Sequence, residues 1–378
     1  MKTIKILHIF PDDKFFDSVS EYFDSFSKLE NYYVFYTKQK NYTFKYIKKT
    51  KKILIVNKWK DYIKYINDEK FDFVYLQAMY PPYIINHISP NKKVVWWCFG
   101  FEIYNFNAYL CKPIISLNLY KPKTERSRDI ENRKNNIIKL YIKALFYLLF
   151  INSQKMRAIK RVDYFSPVLP IDYELMKKYC KCFSAKPFMY NGGPGFPPKD
   201  DYRYILEYGN ILIGNSLTYE NNHLDIFDVI KNIGRNERQK LIIPINYGNA
   251  YGGADNFIKI SNLSNVLFLK DFMDKEKYFS LLKSVSHAIY GNIRQQAMGN
   301  IYWCLRNGVK LYLYKDSVIY KQLKDFGYKV FTIDNDLSEQ SLKETLSKQD
   351  AKDNYDLFYK ISQSKANAEE EFCRIIDC

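Results

Sequence analysis

Histidine is the scarcest chemistry-bearing residue in this chain, with four copies scattered over 378 residues. Cysteine offers little more. Its seven copies (98, 111, 180, 182, 304, 373 and 378) are odd in number and contain no C-x-x-C pair. Cys180-Lys-Cys182 is too tight for a usual zinc half-site and the histidines are far apart, so a metal cage is not expected and reduced, cytosolic thiols are the simplest account. Glycine numbers only 14, and alanine is also sparse, while Lys, Asn, Ile, Tyr and Phe abound. That bias is the mark of AT-rich coding, so 35 Tyr and 27 Phe are not read as an aromatic binding surface. No run of roughly twenty uncharged apolar residues exists, which excludes a bilayer-spanning helix. The opening M-K-T-I-K-I-L-H-I-F stops at Pro11-Asp12-Asp13 and reads as a first strand, not as a signal sequence.

What is present describes a globular chain. Hydrophobic residues make up 47% and the mean hydropathy is −0.39, enough to bury a core. The length suits two α/β domains better than one. The formal charge of +17 attracts nucleic acid, anionic lipid or phosphorylated ligands, or simply reflects solvated lysines on helix faces. Much of the excess falls early, as at Lys45, Lys48, Lys49, Lys51 and Lys52, which favours a membrane-facing first half. Nucleic-acid binding predicts a basic stripe with interleaved aromatics and a recognisable module, and neither is present.

Strand and helix patterns alternate twice. Residues 4–10, 33–36, 53–56, 73–76, 94–98 and 161–167 read as strands of a first doubly wound sheet. A charged stretch, 121–136, leads into an apolar one, 137–152, which suits either a membrane interface or a core helix. The Gly- and Pro-dense Y-N-G-G-P-G-F-P-P-K at 190–199 marks the domain boundary. Strands at 210–213, 241–245, 266–269, 287–290 and 309–313 then alternate with helices. The expected organisation is a first Rossmann-like domain over 1–192, a second over 200–350, and a C-terminal helix over 351–378.

In an open parallel sheet, ligands meet the loops beyond the carboxyl ends of the strands. Three such loops stand out. Gly214-Asn215-Ser216, with His223 close behind, offers a close backbone approach and hydrogen-bond donors to a phosphate. Tyr247 and Gly248 open a Gly-rich loop in which the ring suits base stacking. Gly291 to Asn300 joins Arg294, Gln295 and Gln296 to Gly299 and Asn300 at a helix start, a composition suited to a diphosphate. In the first half, Trp97, Glu102 and Tyr104 follow a strand, where Glu102 suits a general base. His8 ends the first strand. Asp334-Asn335-Asp336 has the D-x-D pattern but sits where acids are common, so it is set aside.

The segments I-L-I-G-N-S-x-x-x-x-N-N-H at 211–223, I-P-I-N-Y-G at 243–248, I-R-Q-Q-x-x-G-N at 293–300 and W-W-C-F-G-F-E-I-Y at 96–104 occur in order. Together they resemble the 4-acetamido-4,6-dideoxygalactosyl (N-acetylfucosaminyl) transferases, glycosyltransferase family 56. The resemblance implies a GT-B fold, two Rossmann-like domains facing a central cleft. It also implies a TDP-sugar donor and a lipid-linked glycan acceptor at the inner face of the plasma membrane. On that basis Gly214, Asn215, Ser216, His223, Tyr247, Gly248, Arg294, Gln295, Gln296, Gly299 and Asn300 line the donor site. Glu102 and Arg294 act catalytically, and His8, Trp97 and Tyr104 meet the acceptor. Glu102 stands where the family pattern has Asp. The expected enzyme needs no cofactor and no metal, binds an anionic membrane surface peripherally, and does not bind nucleic acid. A non-catalytic partner in polysaccharide assembly is the alternative that only activity separates.

Overall fold

The computed structural model describes residues 3–13, 15–79, 82–104, 114–134, 142, 145, 146, 152–190, 209–234 and 238–376. The chain divides into two compact units: residues 1–116, 138–198 and 362–378, and residues 117–137 and 199–361.

The first unit is built on β1 (Ile4–Ile9), α1 (Phe16–Asp24), β2 (Leu29–Tyr36), β3 (Ile53–Val56), α2 (Trp59–Ile66), β4 (Phe73–Gln77), β5 (Lys93–Cys98) and α3 (Phe101–Tyr104). The chain then leaves for α4 (Pro122–Lys134), a helix of the second unit. It returns through α5 (Asn152–Arg161), β6 (Tyr164–Pro167), α6 (Pro170–Tyr179) and β7 (Lys186–Pro187). The sheet order is β3-β2-β1-β4-β5-β6-β7 and the strand pairs are parallel. β4 is buried at every position, which is why it reads as a continuous apolar run instead of an alternation.

The second unit repeats the plan with β8 (Asn210–Ile213), α7 (His223–Ile233), β9 (Leu241–Pro244), α8 (Ala254–Ser261), β10 (Val266–Leu269), α9 (Lys275–Leu282), β11 (Val285–Tyr290), α10 (Met298–Arg306), β12 (Lys310–Leu313), α11 (Val318–Phe326), β13 (Phe331–Thr332), α12 (Glu339–Lys343) and α13 (Lys348–Gln363). Its order, β10-β9-β8-β11-β12-β13, is again parallel. The order reverses between β8 and β11, so the two loops that follow those strands flank the switch point where open α/β sheets take ligands.

Two segments depart from the expected division. Residues 121–136 were expected to lie within the first domain, yet 117–137 pack with the second unit. The reason is capping: Asp225 on α7 accepts from the Lys123 and Thr124 amides, both at 2.9 Å, and satisfies the exposed N–H groups of α4. Residues 351–378 are not one helix. After α13 the chain forms α14 (Ala368–Ile376), whose Ala368, Phe372 and Ile375 join the first unit's core beside Phe73, Tyr75, Phe188 and Tyr190. The apolar stripe of α14 buries there because Glu369 also receives the Lys28 amide at 2.7 Å.

Most of 137–152 lies outside the described residues, as do residues 191–199 of the boundary segment 190–199. Among the described members of 137–152, Ile142, Leu145 and Phe146 are exposed at 65%, 53% and 52%, which is not the burial a core helix gives. Among the described residues, no helix is long and apolar enough to cross a membrane.

Candidate functional site

The site is built at the carboxyl ends of β8 and β11. Gly214, the first residue after β8, has φ +66°, and its amide donates to Ile289 of β11 at 2.9 Å. A Cβ there would stand 2.7 Å from His223 Nε2 and 2.8 Å from Asn221 Oδ1, so only glycine fits both the backbone and the space. Asn221, fully buried, laces the loop together. Its Oδ1 accepts from the Asn215 amide at 3.0 Å, and its Nδ2 donates to Ser216 O, Ser216 Oγ and Thr218 Oγ1 at 3.0–3.1 Å.

The loop after β11 faces this one. A Cβ on Gly291 would meet Asn221 O at 2.2 Å, which sets how closely the two loops approach. Asn222 Nδ2 donates to Gly291 O at 2.7 Å, and Asn292 Nδ2 donates back to Glu220 O at 3.1 Å. Arg294 is 8% exposed; its Nη1 donates to Gln295 O at 2.8 Å and its Nη2 lies 3.7 Å from Glu220 Oε1. Gln296 Nε2 reaches Asn215 Oδ1 at 3.4 Å, bridging the loops. The loop ends in Ala297 at φ +60°, and α10 starts with no side chain capping its N-terminus. Nothing lies within 4 Å of where a Gly299 Cβ would be. An uncapped helix start with open space above its first turn is a ready anion site. Asn300, one residue on, is held by the Tyr278 hydroxyl at 3.0 Å.

Buried polar atoms near the switch point have no protein partner: both ring nitrogens of His223, Arg294 Nε, Gln295 Oε1 and Gln296 Oε1. His223 is fully buried, and burial lowers its pKa to about 3, so it is neutral at physiological pH. Its ring packs on Phe257, Phe227 and Tyr251, so it shapes the floor beneath Gly214. The third loop is tied to the first: the Leu217 amide donates to Tyr247 O at 2.6 Å, and the Ala250 amide to Leu217 O at 3.0 Å. Gly248, at φ +92°, lets that approach happen, and Tyr247 is left 61% exposed at the rim. The structure therefore brings Gly214, Asn215, Ser216, His223, Tyr247, Gly248, Arg294, Gln295, Gln296, Gly299 and Asn300 to one end of one sheet.

Residues that sequence reasoning passed over join them. Residues 117–121 cross this end of the sheet as a strap. Leu119 O accepts from Asn222 Nδ2 at 3.0 Å, and the Lys121 amide donates to Asn222 Oδ1 at 2.8 Å. Lys121 Nζ pairs with Asp316 at 3.0 Å, above the Tyr314 ring at 4.3 Å. Farther along α4, Glu131 accepts from the Tyr219 hydroxyl and from the Gly252 amide, the latter at 3.1 Å. Lys121, Glu131 and Glu220 were missed because nothing in a local pattern links residues that lie about a hundred positions apart.

The first-unit expectations fare differently. His8 was expected to meet the acceptor; it is fully buried between Phe23, Tyr33 and Tyr75, with Nε2 on Asn31 Oδ1 at 2.9 Å. It sits inside a central strand, not beyond its end. Glu102 was expected to be a general base. It is 4% exposed, and its carboxylate accepts from Trp96 Nε1, the Met79 and Phe99 amides and the Cys98 thiol. Burial raises its pKa, but the donors hold it inward, where it anchors the turn into α3. Buried Lys155 donates to the Glu102 carbonyl. Tyr104 is 1% exposed and donates to Asp172 at 2.6 Å, so it too packs inside. Trp97 remains half-buried, against Phe99 and Tyr75. Asp334 and Asp336 serve a turn, accepting from the Lys315 amide at 2.8 Å and from Thr332. Among the described residues, no group of three or more His, Cys, Asp or Glu is placed to hold a metal ion.

Comparison with known proteins fits this geometry. Residues 202–365 match the family model described as 4-alpha-L-fucosyltransferase, glycosyl transferase group 56. Solved structures share the fold along nearly the whole chain. The N-terminal domain of Candida albicans trehalose-6-phosphate phosphatase gives a TM-score of 0.57 at 12% identity, covering 99% of this chain and 96% of that one. An alpha-glucosyltransferase in complex with UDP-glucose and DNA containing an abasic site gives 0.54 at 12% identity, covering 99% of each. A trehalose-6-phosphate protein from E. coli bound with UDP-2-fluoro glucose gives 0.57 at 7%, covering 99% of this chain and 98% of that one. No curated protein matches the chain by sequence. At these identities the structures speak for the fold alone. The chain has a GT-B fold, and its residues 202–365, less than half of it, match the group 56 glycosyl transferase model.

Proposed function

We propose that this enzyme moves a deoxy sugar from a nucleoside diphosphate, thymidine diphosphate first among the candidates, onto a lipid-linked or surface-polysaccharide glycan. The observation that carries the donor half is the uncapped start of α10, with open space at Gly299, facing the Gly214–Ser216 loop across the β8/β11 switch point. The diphosphate lies on that helix end. As the glycosidic bond breaks, negative charge grows on the leaving phosphate, and the helix dipole with Arg294 stabilises it. Those fixed positive groups supply what a metal would, so turnover in EDTA equals turnover without it. Tyr247, exposed at the rim, stacks on the base.

The acceptor half rests on charge and exposure. Ile142, Leu145 and Phe146 are exposed, as are Met156, Arg157 and Lys160 on α5, in a chain of net charge +17. Such a surface suits an anionic bilayer carrying a lipid-linked acceptor, and supports the reading of an enzyme that works peripherally on the cytoplasmic face of the plasma membrane. Thermal shift with TDP, UDP, GDP and CMP tests the donor: one nucleoside diphosphate raises the unfolding temperature and names the base. No shift with any of them removes the donor assignment. Sedimentation with vesicles containing anionic lipid tests the surface, and an Ile142→Ser/Leu145→Ser/Phe146→Ser variant should stay in solution.

A further inference from the structure

The turn that follows α6 brings together two thiols that the proposed sugar transfer does not use. Cys180 closes the helix, its amide donating to Met176 O at 2.9 Å, and the Phe183 amide donates back to Cys180 O at 2.9 Å. Phe183 is held in turn by the Phe165 and Tyr173 rings, with centroids 5.2 and 5.7 Å from its own. With the turn pinned at both ends, the Cys180 and Cys182 sulfurs stand 3.5 Å apart, in van der Waals contact. The two thiols are not equivalent. Cys180 is buried at the carbonyl end of α6, and burial pushes its pKa up to about 11, so it is the protonated partner. Cys182 is only half-buried, its sulfur 3.8 Å from Met156 O of α5. Lys177, Lys178 and Lys181 flank the pair in the chain and are exposed. Lys177 is shared with Glu174 at 3.9 Å, and Lys178 lies over the Tyr179 ring at 5.3 Å.

We propose that Cys180 and Cys182 form a dithiol modification site, closed to a disulfide by small-molecule disulfides of the glutathione class. The inference goes beyond the sugar-transfer reading and stands whether or not that reading holds. The Cys182 thiolate attacks one sulfur of the oxidant, whose S–S bond breaks; one thiolate leaves, and a mixed disulfide remains on Cys182. Cys180 then gives its proton to solvent and attacks the Cys182 sulfur, displacing the second thiolate. Two electrons pass from protein to reagent: two protein thiols become one disulfide, and one small disulfide becomes two thiols. To close the bond the sulfurs move from 3.5 Å to about 2 Å apart. Their contact makes the second step intramolecular, at the high effective concentration that a one-residue spacing gives. The exposed lysines favour a thiolate and attract an oxidant that carries carboxylates. Cys98 and Cys304 are buried and lack that access.

The test incubates the full chain, fully reduced at the start, with glutathione disulfide, traps free thiols by alkylation, and reads peptides by mass spectrometry. Cleavage after Lys181 separates the two cysteines, so their bond appears as two peptides that reduction parts. The parent should give this linked pair and retain no glutathione on it. Cys180→Ser should keep glutathione on Cys182, because the thiol that displaces it is gone. In Cys182→Ser, buried Cys180 should react at least about tenfold more slowly than Cys182 does in Cys180→Ser. Phenylarsine oxide, which bridges two thiols, reads the geometry separately: the parent should hold it on this pair against excess glutathione, and each single variant should release it. Unfolding midpoints of the reduced proteins show that the variants are folded. The proposal is overturned if the parent keeps glutathione on Cys182 without closing the bond, or if both cysteines stay free thiols. Bonding of either to a third cysteine, or equal retention of the arsenical by parent and single variants, overturns it as well.

Discussion

Asn222 is the side chain on which the second unit's architecture turns, and its replacement gives a quantitative test. It is fully buried at φ +50°, a backbone conformation that Asn tolerates and Ala resists. Its carboxamide accepts from the Lys121 amide at 2.8 Å and donates to Leu119 O at 3.0 Å and Gly291 O at 2.7 Å. Asn222→Ala leaves three backbone groups without their partner. Each such orphan costs about 1–3 kcal/mol when buried, and the left-handed alanine about 1 kcal/mol more. Water reaching the strap recovers part of this, so the net loss is about 3–5 kcal/mol, a large fraction of the stability of an ordinary domain. Asn222→Gly removes the backbone strain but not the lost hydrogen bonds, and should be less damaging by about 1 kcal/mol. Asn222→Asp keeps the acceptor for Lys121 but turns a carboxylate towards two carbonyls. Urea unfolding measures the loss, and hydrogen exchange locates it: the Lys121, Lys123 and Thr124 amides should lose protection before the strands do. An Asn222→Ala protein within about 0.5 kcal/mol of the parent, with the Lys121 amide still protected, would refute the view that this residue holds the strap.

Other outcomes follow from the same contacts. Gly214→Ala forces a Cβ against His223 and Asn221, so nucleoside diphosphate binding should fall at least tenfold, read by titration, while the first unit unfolds as before. Burial holds the pKa of His8 and His287 near 4 and that of His223 near 3, below the ordinary histidine value. The unfolded chain therefore takes up protons first as pH falls. Stability that is complete above about pH 6.5 declines towards pH 4, by about 2 kcal/mol per histidine at pH 5, which denaturation at stepped pH will show. Glu102→Ala orphans the donors around its carboxylate and should destabilise the first unit by about 2–4 kcal/mol. Glu102→Gln, folded, should keep turnover within about tenfold; a loss beyond about a thousandfold would restore the general-base role.

The two Rossmann-like halves were legible because fully buried parallel strands print as short apolar runs, as at Phe73–Gln77 and Val285–Tyr290. The loops at the switch point were legible because Gly214 and Gly291 follow strands in a chain that spends few glycines, and each meets a backbone need. Glu102 and His8 were misread because a carboxylate or an imidazole near a strand end looks alike in sequence whether it faces ligand or core. Only packing decides that, through Trp96, Met79 and Phe99 in one case and three aromatic rings in the other. The sequence by itself determined local periodicity, the positions of the strand ends and the composition of their loops, since these rest on neighbours along the chain. Tertiary structure alone decided that 117–134 belongs to the second unit and α14 to the first, and that Arg294 meets Glu220 and Lys121 meets Asn222. Those contacts join residues far apart in the chain, and a hydrogen bond or a stacked ring across such a distance leaves no period in the sequence for either partner to show.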